Sequence, residues 1–156
     1  MFFEKLKNYN VLLASGSKRR HELLNQLGVK FKIVNQDVEE SFSNDLRCSE
    51  ITDYLAKKKS SLLVEKLKKN DLLITSDTIV WHKNRSLGKP KNRDEAFEMI
   101  KSLENSSHEV ITSICISTIK SQVIVNEKTL VFFDKIDKND LLYYTKTSDV
   151  LDRAGS

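Results

Sequence analysis

Several stretches of this sequence combine residue types that packing alone does not call for. Ser15-Gly16-Ser17 is followed at once by Lys18, Arg19 and Arg20. Apolar residues precede this stretch, and Leu23, Leu24 and Leu27 follow it at helical spacing. The pattern is a strand passing through a small-residue turn into a helix. A helix N-terminus presents unpaired N–H groups and the positive end of the macrodipole. Three cations there oppose the dipole unless an anion neutralises them, and a Gly/Ser turn lets backbone approach a phosphate closely. The competing reading is an ordinary Ser17 N-cap with solvated cations.

Asp77 follows the apolar run "LLITS" directly. Asp is a poor strand residue, and the carboxyl ends of strands in α/β folds are where ligands bind. An Asp that caps a turn through its own backbone is the bland alternative. Ser76-Asp77-Thr78 lacks the second carboxylate of an aspartyl-phosphate phosphatase signature, so that chemistry is set aside. Asp37, Glu39 and Glu40 repel one another unless a cation intervenes, and Mg²⁺ with substrate phosphates is one solution. A solvated acidic loop is the other reading.

Lys89 is held between Gly88 and Pro90, and the proline restricts both itself and its predecessor. Of Lys57, Lys58 and Lys59, at most one is expected to leave a solvated helix face and point into a site. His21, His82 and His108 have no ligand spacing and read as structural. No serine elbow, Walker loop or dinucleotide fingerprint is present.

These residues need elements to position them. The pattern predicts a strand over 10–14, a helix over 17–27 and a short strand over 31–35. A long helix follows, capped by Ser49 and reaching about residue 69. A strand over 71–76 continues over 78–82 after a kink. Asn92 and Glu95 form a capping box for a helix through Leu103. Two β-branched strands cover 109–119 and 122–133, with a hairpin at Lys120-Ser121. Asp137 opens a last helix to about residue 144. Alternating strands and helices without repeats or linkers imply one α/β domain with a mixed, twisted sheet flanked by helices.

Composition narrows the class further. A chain of 156 residues, 39% hydrophobic and 31% charged, suits a single soluble core. No apolar run is long enough to span a membrane, and the opening "MFFEKLKNYN" lacks a signal-peptide h-region. Cys48 and Cys115 are isolated, as expected of buried thiols in a cytoplasmic protein. The net charge of +4 is carried mostly by scattered Lys. A nucleic-acid partner is disfavoured, because binding single strands calls for aromatics among the basic residues and only 8% of the chain is aromatic.

In order along the chain, "LLASGSKRRHELLNQLGVKF", "VEE", "YLAKKKS", "SDTIV", "GKP", "EAFEMIKSLENSSHEVIT" and "LDRAGS" resemble the Maf family of nucleoside triphosphate pyrophosphatases. The resemblance implies a Maf/Ham1-like fold with a nucleotide-binding cleft. It implies hydrolysis of a nucleoside triphosphate to the monophosphate and pyrophosphate, with a divalent metal, Mg²⁺ or Mn²⁺. Carried over by position, Ser15, Arg19 and Arg20 match the phosphate- and substrate-binding loop. Lys59 and Lys89 match substrate-contacting lysines. Asp77 matches the catalytic carboxylate, and Glu40 and Asp77 match the metal ligands. The paired arginines and the Asp-Thr pair are similar to the branch acting on dTTP and UTP, and a homodimer is among the expected assemblies.

The family commonly has Pro where Lys18 stands and Ser-Gly where Glu104-Asn105 stand. Its segment matching "LDRAGS" continues into Tyr-Gly-Ile-Gln, so the resemblance also implies a domain over 1–156 that lacks the C-terminal part of the family fold. A non-catalytic nucleotide-binding or regulatory remnant is the alternative function.

Overall fold

The computed structural model describes residues 2–35 and 37–156. Five α-helices are described: α1 (Phe2–Leu6), α2 (Lys18–Gln26), α3 (Ser49–Val64), α4 (Arg93–Leu103) and α5 (Lys138–Thr145), followed by a 3-10 helix over Ser148–Asp152. The strands are β1 (Asn10–Leu13), β2 (Phe31–Ile33), β3 (Asp71–His82), β4 (Arg85–Leu87), β5 (Ser106–Ser117) and β6 (Gln122–Phe133). They form one mixed sheet in the order β2-β1-β3-β5-β6, with β4 paired to β3. β1 is parallel to both β2 and β3, whereas β3 and β4 are antiparallel. This is the expected α/β architecture with helices between parallel strands.

Two compact units are present by internal contacts. The first is the stretch up to Asp77 together with Ser113–Asn126, and the second is Thr78–Thr112 with Glu127–Ser156. The first buries Val11, Leu13, Ile51, Leu55, Leu73 and Cys115. The second packs Val110, Phe133 and Ala154 around Val80, Leu87 and Leu103. No helix among the described residues is long and apolar enough to cross a membrane.

Local chemistry explains where the elements depart from expectation. α3 stops at Val64 rather than near residue 69, because the next residues tighten into three-residue turns and Asp71 Oδ2 accepts the Lys68 N–H at 2.9 Å. Its cap position is Cys48, not Ser49, and Glu50 Oε2 accepts the Arg47 N–H at 2.9 Å in place of a hydroxyl cap. β3 runs unbroken through Asp77 without the expected kink. β5 begins earlier and ends at Ser117, since Thr118 N bonds Ser121 O at 2.8 Å and closes the hairpin there. β2 ends at Ile33, where Val34 N makes a last bond to Leu13 O at the end of β1.

The Asn92 cap accepts from Glu95 N at 2.8 Å as expected, although the Glu95 carboxylate reaches Lys91 N rather than the cap residue's own N–H. Asn105 adopts φ 48°. Asn tolerates this left-handed region better than most residues, so the turn between α4 and β5 is kept.

Candidate active site

The site is built where parallel strands end. The backbone bond from Ala14 N to Ile74 O carries the β1–β3 ladder one residue past β1. The chain then turns through Ser15, Gly16 and Ser17 into α2. Ser15 is buried, and its Oγ accepts the Ser17 N–H at 3.2 Å. The Ser15 carbonyl lies 2.7 Å from His21 Nε2, so one turn of α2 is tied back to the loop by an imidazole. Arg20 Nη1 donates to the Ser76 carbonyl at 3.0 Å, which ties the same helix to the residue before Asp77. Arg19 is exposed on the helix's first turn. Ser17 occupies the cap position of α2, but its side chain makes no cap hydrogen bond, and the first turn holds no acidic residue.

Asp77 is buried on β3, and Lys59 of α3 donates to its Oδ1 at 2.7 Å. The same Lys59 Nζ lies 2.7 Å from Glu40 Oε1. Two carboxylates therefore converge on one ammonium. Burial pushes the Asp77 carboxyl above the usual carboxylate range; Lys59 and Arg20 pull it back, and Glu40 pushes it further up. Of the three consecutive lysines, Lys59 is the one turned inward. Lys58 instead donates to the Ser41 carbonyl at 3.1 Å on the exposed side.

The first unit thus brings together Ser15, Arg20, Glu40, Lys59 and Asp77. Lys89 belongs to the second unit, where its Nζ pairs with Asp152 at 2.6 Å in an exposed ion pair. Gly155 N bonds the Gly88 carbonyl beside it at 2.9 Å. A Cβ on Gly155 would stand 2.7 Å from Val80 Cγ2, and the residue's φ is +72°, so only glycine fits.

The remaining histidines serve packing. Both His82 ring nitrogens face carbonyls, Ser107 O at 3.2 Å and Ser102 O at 3.0 Å. His108 meets Phe133 edge-on at 5.1 Å, and burial, aided by the nearby His82, holds its pKa below the usual value.

Among the described residues no group of three or more His, Cys, Asp or Glu side chains gathers in a metal cluster. Glu40 and Asp77 are nonetheless two hard oxygen donors drawn to one cation. Mg²⁺ is commonly held by one or two carboxylates plus substrate phosphates, so this donor set fits such an ion.

A family model described as Maf-like protein matches residues 10–156. The chain belongs to the Maf family. It is 45% identical over 156 residues to a dTTP/UTP pyrophosphatase of Flavobacterium johnsoniae, covering all of this chain and 80% of that protein. It is 40% identical over 152 residues to a dTTP/UTP pyrophosphatase of Bacteroides fragilis, covering 97% of this chain and 79% of that protein. In three dimensions it is similar to the Ham1 protein of Staphylococcus aureus, with a TM-score of 0.53 at 15% identity, over 78% of this chain and 70% of that one. That likeness fixes the Maf chain's fold as Ham1-like.

Two features of the site escaped the motif reading. The anchoring of Arg20 on a backbone carbonyl leaves no trace in residue types. The small residues Thr52, Ala56 and Ser60 recur every fourth position on α3, and this signal could have marked the helix face that approaches the sheet.

Proposed function

We propose that this Maf-family protein hydrolyses dTTP and UTP to the monophosphate and pyrophosphate in the cytoplasm, with a divalent cation held by Glu40 and Asp77. The convergence of Glu40 and Asp77 on a single cationic group is the observation that carries this reading. The names of the two relatives support the substrate choice.

Bound Mg²⁺ or Mn²⁺ would supply charge neutralisation for the triphosphate and for the leaving pyrophosphate. Ser15, Arg19, Arg20 and the uncapped N–H groups of α2 bind phosphate oxygens, and the guanidinium groups hold them in a fixed fork. Lys59 keeps the Asp77 carboxylate oriented. Asp77 accepts a proton from water, which attacks the α-phosphorus as pyrophosphate leaves. Its raised pKa makes it a stronger base than an exposed Asp.

The test separates products. Incubation with dTTP or UTP and Mg²⁺ should release pyrophosphate and the monophosphate, and chelation by EDTA should stop the release. Orthophosphate as the first product would overturn the assignment of the attacked phosphorus. Nucleotide binding without any release would place the chain with the non-catalytic remnants.

A further inference from the structure

We infer that Thr75 is a positioning residue for the Asp77–Lys59 pair, acting as the central peg of a buried hydroxyl seam that fixes the axial register of α3 on the sheet. The Thr75 hydroxyl donates to the Ala56 carbonyl at 2.7 Å, and both residues are fully buried. Thr75 and Asp77 lie on the same face of β3, two residues apart. Ala56 and Lys59 are neighbours on one face of α3. The Thr75–Ala56 bond is therefore the adjacent rung to the Lys59–Asp77 bond.

Two further pegs flank it. Ser113 Oγ of β5 lies 2.6 Å from Thr52 Oγ1, and Ser117 Oγ lies 2.7 Å from Ser60 Oγ. Gln122 Nε2 also donates to Ser117 Oγ at 3.1 Å. All four of these hydroxyl residues are fully buried. Thr52 to Ser60 advances about 12 Å along a helix. Ser113 to Ser117 advances about 13 Å along a strand. The pegs match only when helix and strand are in this one register.

Apolar contacts would hold the helix at the same distance from the sheet, but they tolerate sliding. Hydroxyl pairs are directional and leave buried polar atoms unpaired if the helix slips. A one-residue slip turns a helix by about 100° and moves it about 1.5 Å, which carries Lys59 off Asp77. The seam thus places a long, flexible side chain where a short carboxylate needs it.

This inference rests on the proposed role of Asp77, so its test includes a readout independent of turnover. Thr75→Val keeps the shape and removes the donor; Thr75→Ser keeps the donor. In the free protein at fixed pH, the exchange rate of the Lys59 ammonium protons is measured by ¹⁵N NMR. Those protons are protected while Asp77 and Glu40 hold them. Thr75→Val should speed exchange several-fold and lower kcat for pyrophosphate release from dTTP by up to about a hundredfold, with KM changed much less. Thr75→Ser should restore both. A folded Thr75→Val protein with parental exchange would overturn the inference. If Thr75→Val does not fold, Ser60→Ala takes its place: faster exchange supports the seam, and parental exchange refutes it. A parent that releases no pyrophosphate would sink the proposed function alone, because the exchange measurement still decides the seam.

Discussion

Two Lys–Asp pairs in this molecule have nearly the same length and opposite surroundings. Lys59 meets Asp77 at 2.7 Å with side chains 11% and 8% exposed; Lys89 meets Asp152 at 2.6 Å with side chains 59% and 63% exposed. Distance alone would rank them equal. Water separates them. An exposed pair is screened and costs side-chain entropy, so its net worth is small. A buried pair sits where each charge costs several kcal/mol to desolvate, and either partner left alone is a liability. The contrast shows in Asp77, whose carboxyl stays raised despite a lysine at hydrogen-bond distance. The proposed proton transfer falls on the pair whose carboxyl is raised by burial, and the other pair joins two exposed side chains.

Removing the buried carboxylate charge should have the largest effect. Asp77→Asn is expected to lower pyrophosphate release from dTTP and UTP by roughly 10²–10⁴-fold, the usual cost of losing a general base. Nucleotide affinity, measured separately by calorimetry without added divalent metal, should hold or tighten, since a negative charge near the phosphates is gone. Parental turnover would leave Asp77 a structural partner of Lys59 only and erase the functional difference between the two pairs.

Lys59→Met sharpens the contrast through stability and pH together. It should cost up to about 3 kcal/mol in urea denaturation, the low end for a broken buried pair because the orphaned carboxyl can take a proton. Asp77 is a carboxyl whose folded-state pKa is raised, so its proton favours the folded state. That stabilisation is complete below the unfolded pKa and is lost as pH rises through the folded one. Without Lys59 the raised pKa moves higher still. The acid limb of the turnover profile should therefore shift to higher pH, and the stability deficit should grow from acid to neutral pH. An unmoved acid limb would show that Lys59 does not govern the protonation of Asp77.

The smallest effect belongs to the exposed pair. A double-mutant cycle with Lys89→Met and Asp152→Ala should give a coupling of about 1 kcal/mol or less in stability, fading with added salt. A coupling of several kcal/mol would remove the distinction between the two pairs.

Much of the fold is legible because periodicity and caps are local. The Asn92 and Asp137 caps form with their own neighbours, and the β-branched runs become β5 and β6. β4 was not legible: its hairpin turns on Lys83-Asn84, both at positive φ, and lysine carries no signal for that conformation. At the site, Asp77 stood out because Asp is a poor strand residue in an apolar run. Which of Lys57, Lys58 and Lys59 turns inward depends on the helix's rotation against the sheet. That rotation is set by contacts some 60 residues away in sequence, such as Ser113 with Thr52 and Asp53. The partnership of Lys89 with Asp152 was hidden for the same reason.

The hydroxyl seam also orders events during synthesis. Glu40, Lys59, Asp77 and the Arg20 anchor on Ser76 all lie within the first 77 residues, whereas the strand hydroxyls that peg the two ends of α3 belong to Ser113 and Ser117. A nascent chain that has just delivered Asp77 from the ribosome owns every charge of the cluster and neither outer peg. The outer pegs on Ser113 and Ser117 follow roughly two to eight seconds later at about 5–20 residues per second.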